Sequence, residues 1–132
     1  MRIFDSVRGH FALLTNRQLK TLSEGSAFLV TRVVSTTERQ GDWLVVIKPV
    51  NGKNENSIYI SDILRTYAWI VSNRMDEWVT LKEIQNIIEQ SGINLAQASY
   101  IMALMATFDD VESREGAIKL VSHRTKFGPP VK

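Results

Sequence analysis

The chain has 132 residues, 44% apolar and 23% charged, with a net charge of +2 and no cysteine. That balance predicts a folded core rather than disorder, and the missing cysteine excludes disulfides, thiolate metal sites and cysteine nucleophiles. No apolar run approaches the ~18 residues of a membrane span, and no long apolar stretch follows the charge in Met1–Asp5 to make a secretion signal, so a cytoplasmic protein with no membrane partner is expected.

In chain order, Met1–Leu14 has no decisive period. Thr15 or Asn16 can cap a short helix through Glu24, with Leu19 and Leu22 on one side and Gly25 as its stop. The pattern then becomes alternating and β-branched, and Ala27–Ser35 and Trp43–Val50 read as strands. The polar stretch 36–42, with Gly41, joins them as a hairpin loop. Asn51-Gly52 opens a second turn, and Ser57–Ile60 forms a third strand. Pro49 lacks a ladder donor, which places that end of its strand at an edge.

Ser61 is a candidate helix cap, with Asp62 in the first turn. Ile63, Leu64, Tyr67, Ala68 and Val71 then share one helical face, and the helix stops near Asn73–Met75. Trp78 and Val79 are extended and suited to pairing with a later strand. Thr80 and Glu83 form a capping box, with Val79 and Ile84 at hydrophobic-staple spacing, so a helix starts there. Its buried face is Leu81, Ile84, Ile87 and Ile88, and Gly92 sits where a positive φ is wanted. Asn94 caps a third helix, Leu95 to about Phe108, with Leu95, Ala98, Ile101, Met102, Met105 and Phe108 buried. Val111–Ser113, the turn Arg114-Glu115-Gly116 and Ala117–Val121 make a terminal β-hairpin.

A helix, a short turn with glycine and a second helix is the helix-turn-helix arrangement, and Ile88 and Ala98 fall where the pair would touch. The preceding helix and the terminal hairpin complete a winged form. The expected fold is therefore α+β: residues 1–60 form a helix and small antiparallel meander serving dimerisation or packing, residues 61–122 a winged helix-turn-helix, and residues 123–132 a basic, flexible tail.

In a DNA-bound helix-turn-helix the third helix reads base edges from its N-terminal end. Helical geometry puts Ala96, Ser99, Tyr100, Ala103 and Thr107 on its solvent side, with Asn94 and Gln97 at the margins. Asn94, Ala96, Gln97, Ser99 and Tyr100 are the candidate base contacts: the amides match adenine, the hydroxyls hydrogen-bond, and alanine allows close approach. Small polar residues on an exposed helix are equally ordinary, and Asn94 is needed as a cap in any case. Lys82, Arg114, Lys119, His123, Arg124 and Lys126 are the candidate phosphate contacts, and a homodimer would double them.

Charge works against this reading. Residues 1–60 carry eight cations against five acids, residues 61–118 four against nine, and residues 119–132 four with no acid. The basic charge thus flanks the helix-turn-helix and is scarce within it, and Asp109, Asp110 and Glu112 follow the third helix directly. Those three acids could suggest a cation site, but three acids in a loop are more simply solvated. His10 and His123 sit in no ligand or triad spacing, and the glycines match no phosphate loop, so neither enzyme activity nor a cofactor is expected.

The run Tyr67-Ala68-Trp69, Trp78-Val79-Thr80, Glu83-Ile84 and Gly92-Ile93-Asn94-Leu95-Ala96-Gln97-Ala98-Ser99-Tyr100-Ile101 resembles the helix-turn-helix of the CaiF/GrlA family of enterobacterial transcriptional activators. The similarity spans residues 63–122. It implies a bacterial, sequence-specific regulator that binds double-stranded DNA. Members usually carry the module near the N-terminus, and tend to be basic where Ala96 and Gln97 stand here. The rival reading is a winged-helix protein-interaction module, an anti-repressor or accessory factor, that does not bind DNA directly. Tyr100, Leu104 and Thr107 would then form a contact patch, and an exposed Trp69 or Tyr59 would favour docking of a protein regulator.

Overall fold

The computed structural model describes residues 2–122. In order these form α1 (Arg2–Leu13), β1 (Gln18–Lys20), β2 (Ala27–Ser35), β3 (Trp43–Pro49), β4 (Asn56–Tyr59), α2 (Ile60–Asn73), β5 (Trp78–Thr80), α3 (Leu81–Gln90), α4 (Ala98–Met105), β6 (Val111–Arg114) and β7 (Ala117–Leu120), with one 3₁₀ turn at Leu95–Gln97. The protein is mixed α+β, an N-terminal helix followed by an antiparallel strand meander and then three helices interleaved with a second sheet. The sheets are ordered β1-β2-β3-β4 and β5-β7-β6, with every pairing antiparallel.

The β-branched alternation of β2 and β3 builds the first sheet. Phe28, Val30, Val45, Ile47 and Ile58 turn to one face and are buried. Pro49 lies at a local edge, as its missing donor requires. Val50 N donates to Ala27 O at 3.0 Å, so the preceding nitrogen faces away from β2. On that side β4 begins only opposite Ile47.

The segment 15–24 departs from expectation. It is not a helix: Gln18–Lys20 pairs with Ala27–Leu29, adding a fourth strand to the expected three. Asn16 takes φ 70° and its N–H donates to Val30 O at 2.7 Å, which turns the chain onto the sheet edge instead of capping a helix. Gly25 does end the segment, at φ +70°, inside a hairpin turn closed by Thr21 N–H to Ser26 O at 3.0 Å.

Helix α2 begins at Ile60, one residue before the expected cap, and its N-cap Tyr59 makes no side-chain cap bond. Asp42, from the β2–β3 loop, does that work from a distance. Its Oδ1 accepts from Trp43 N at 2.8 Å and Ser61 N at 3.2 Å, and its Oδ2 bonds the Ser61 hydroxyl. Arg39 reinforces the joint, reaching Asp62 at 2.9 Å and lying 3.7 Å above the Tyr59 ring. Asp42→Ala leaves the helix start unsatisfied and is expected to cost about 1–2 kcal/mol, read as a lower urea midpoint at unchanged slope.

Strand β5 pairs with β7 as expected. Thr80 and Glu83 complete the capping box of α3, Val79 and Ile84 are both fully buried, and Gly92 has φ +75°. The helix expected from Leu95 to Phe108 is shorter. Asn94 Oδ1 accepts from Ala96 N at 2.9 Å, but the turn it caps is 3₁₀, and α4 proper has eight residues ending at Met105. Leu95, expected in the buried stripe, is 44% exposed because that first turn runs along the surface.

A single hydrophobic cluster runs from Val7 and Phe11 through the first sheet and α2 to Ile118 and Leu120. Residues 1–60 and 61–122 therefore share one interior.

Candidate functional site

The residues singled out for base contact gather at the start of α4, and the chain's own N-terminal half packs against three of them, Gln97, Ser99 and Tyr100. Tyr100 packs edge-on against Phe28, ring centres 5.2 Å apart. Gln97 Nε2 donates to Ser57 O at 3.0 Å. Ser99 is half-buried in a cleft of about 200 Å³ whose other wall is Ser23 and Glu24 of the β1–β2 turn. Ala96 and Asn94 are exposed, with Asn94 Oδ1 occupied as the cap. The outward side then closes. Ala103, expected in solvent, is 4% exposed and Leu104 0%. Thr107 donates to Leu104 O at 2.6 Å, so its oxygen accepts from His10 Nε2 at 2.7 Å. A helix that is apolar on every side is an interior helix, which is what Ile101-Met102-Ala103-Leu104-Met105 gives.

The phosphate candidates are arranged differently. Lys82 and Arg114 are exposed and Lys119 half-buried. Arg114 lies 4.1 Å and Lys119 4.9 Å from the centre of the Trp78 ring, while Lys119 also pairs with Glu112 at 3.7 Å. The β6–β7 turn is tied to the start of α3 by Leu81 N–H to Gly116 O at 3.2 Å, which brings Lys82 alongside. On its other side Gly116 N–H donates to Leu22 O at 2.9 Å, so the β1–β2 turn sits between this hairpin and α4. His123, Arg124 and Lys126 lie outside the described residues, as does the whole segment 123–132.

Nothing in the sequence near the acidic run foreshadowed what Asp110 does. Asp109 and Glu112 are exposed, but Asp110 is fully buried. Its Oδ2 accepts from the Tyr67 hydroxyl, and its Oδ1 has no hydrogen-bond partner among the described residues. Tyr67 stands 43 residues earlier in the chain, so no local spacing links the two. Among the described residues no group of acids and histidines could hold a metal ion, and no helix is long and apolar enough to cross a membrane.

His10 sits in the same region, edge-on to Phe11 and Phe108. Burial lowers its pKa below the ordinary 6.5, partly offset by the charge of Asp109. The folded form therefore holds its imidazole proton less tightly than the unfolded chain. The stability this gives is complete above the unfolded pKa and declines as pH falls through 6.5 toward the lower folded value. Melting temperature is expected to drop between pH 7.5 and pH 5.5, and His10→Gln to flatten that slope.

No protein-family model, no curated protein and no solved structure matches this chain.

Proposed function

We propose that this chain is a cytoplasmic regulatory module that works by binding a protein partner, on a winged-helix scaffold whose usual reading helix has become interior. The order α2, β5, α3, α4, β6, β7 with sheet β5-β7-β6 supports the winged-helix reading of this half. The observation that carries the functional reading is the enclosure of α4: Ala103 and Leu104 are buried, and Tyr100, Gln97 and Thr107 are engaged by residues 1–60.

Magnitudes decide whether that cover could lift to admit DNA. Each fully buried large apolar side chain is worth about 1.5–3 kcal/mol. Uncovering Phe11, Phe28, Leu104 and Phe108 alone would cost about 6–12 kcal/mol, as much as the whole stability of a typical domain. Trp69, 36% exposed on α2 beside Ile87, is the kind of apolar residue a docking surface leaves in solvent.

A second reading rests on Arg114 and Lys119, which lie over Trp78, and on exposed Lys82 at the start of α3, which could touch phosphate without reading bases. A gel-retardation series with duplex DNA separates the two. The expected result is no sequence-selective complex, with any low-salt binding lost as salt rises and weakened by Arg114→Ala with Lys119→Ala. Selective retardation that disappears in a folded Gln97→Ala variant would restore base reading by α4.

A further inference from the structure

The first sheet has a second face, turned away from the shared core. Directly opposed residues share a side of a sheet, so the register assembles that face row by row: Gln18, Leu29 and Lys48; then Arg32, Val46 and Ser57; then Val34, Leu44 and Tyr59, with Lys20 at one corner. Leu29 at one end and Val34, Leu44 and Tyr59 at the other are half-buried, while Val46 in the middle row is only 2% exposed. Cations frame the face. Arg32 is held by Glu55 at 2.8 and 3.0 Å, while Lys20 and Lys48 make no ion pair among the described residues. Glu38, at the rim, is engaged by the Tyr59 hydroxyl at 2.6 Å.

We propose that this face is where the protein partner docks, and that it takes an acidic polypeptide segment with apolar side chains interleaved among its carboxylates. The inference rests on the protein-partner reading above. Charge complementarity selects the occupant. A second copy would bring one cationic face against another, which a two-fold contact makes repulsive. Single-stranded nucleic acid would need stacking surfaces, and the aromatic ring here, Tyr59, already carries Arg39 at 3.7 Å. Phosphates would also leave Leu29, Val34 and Leu44 unused. An acidic and apolar segment satisfies both Lys20 and Lys48 and the side chains of Leu29, Val34 and Leu44.

Fluorescence anisotropy with a labelled peptide repeating Asp-Leu-Glu-Phe tests this. Controls are the same peptide with lysine in the acidic positions, a polyglutamate of equal length, and duplex DNA. The acidic, apolar peptide is expected to bind, the lysine peptide not to, and Lys20→Glu with Lys48→Glu to weaken binding about tenfold or more at an unchanged melting temperature. Leu29→Ser, which leaves the charges in place, is expected to weaken it about threefold. Binding unaffected by all these changes, equal binding of polyglutamate, or no binding at all would each overturn the docking site and leave the protein-partner reading standing. Preferential binding of duplex lost in the lysine variants would reassign the face to nucleic acid. Sequence-selective duplex binding that instead depends on Gln97 defeats the protein-partner reading itself.

Discussion

Ala103→Glu is expected to lower the unfolding free energy by about 3 kcal/mol or more. The position is 4% exposed, so a carboxylate there must shed its water, and the longer side chain overfills a packed interior. On a helix whose outward side faced solvent, the same change would stay within about 0.5 kcal/mol. Urea unfolding distinguishes the two outcomes by several-fold in the expected shift of midpoint. A variant with a near-normal midpoint would mean that α4 keeps an open side, and base reading would again be physically available to it.

Tyr67→Phe is expected to cost about 3 kcal/mol, more than an ordinary lost hydrogen bond. Asp110 is fully buried, one of its oxygens already lacks a partner among the described residues, and the Tyr67 hydroxyl serves the other. Removing that hydroxyl leaves a buried carboxyl group with neither oxygen served by a side chain among the described residues, and an orphaned buried polar group costs more than the bond that satisfied it. The double variant Tyr67→Phe with Asp110→Leu removes donor and acceptor together and should recover most of the loss. If the double variant is instead less stable than Tyr67→Phe alone, the carboxylate is contributing through some other contact. Double-mutant-cycle unfolding measurements give the comparison directly.

The parts of the fold that announced themselves in the sequence are those whose signals are local. Thr80 and Glu83 specify a helix start through their own side chains, Gly92 takes the positive φ that ends it, and the β-branched alternation of Ala27–Ser35 needs no distant partner to be recognised. Leu19 and Leu22 show the limit: their spacing of three fits a helix, yet pairing of Gln18–Lys20 with β2 decided the outcome. Ser61 looked like a cap, but the acceptor that satisfies the helix start comes from Asp42, beyond any capping window. For the candidate site, residue types were legible and their accessibility was not. Five consecutive apolar residues, Ile101 to Met105, carried the signal of an interior helix, and Ala103 and Leu104 could be assigned to solvent only while residues 1–60 were pictured as a separate body. The Asp110–Tyr67 pair left no trace in the sequence, because nothing in the spacing of two residues 43 apart says that they meet.

The bond between His10 and Thr107 joins residues 97 apart, and this sets a schedule for synthesis. At about 5–20 residues per second, Thr107 is added some 5–20 s after His10. Within that interval Phe11, Phe28 and Val30 are added behind Val7, and all four then wait for the helix that will cover them, which has yet to be made. The nascent first half is thus a sticky, incomplete sheet waiting for its lid, and the moment of greatest aggregation risk falls before translation ends. Any factor that holds apolar nascent segments should raise the yield of this protein more than it does for domains whose halves close independently.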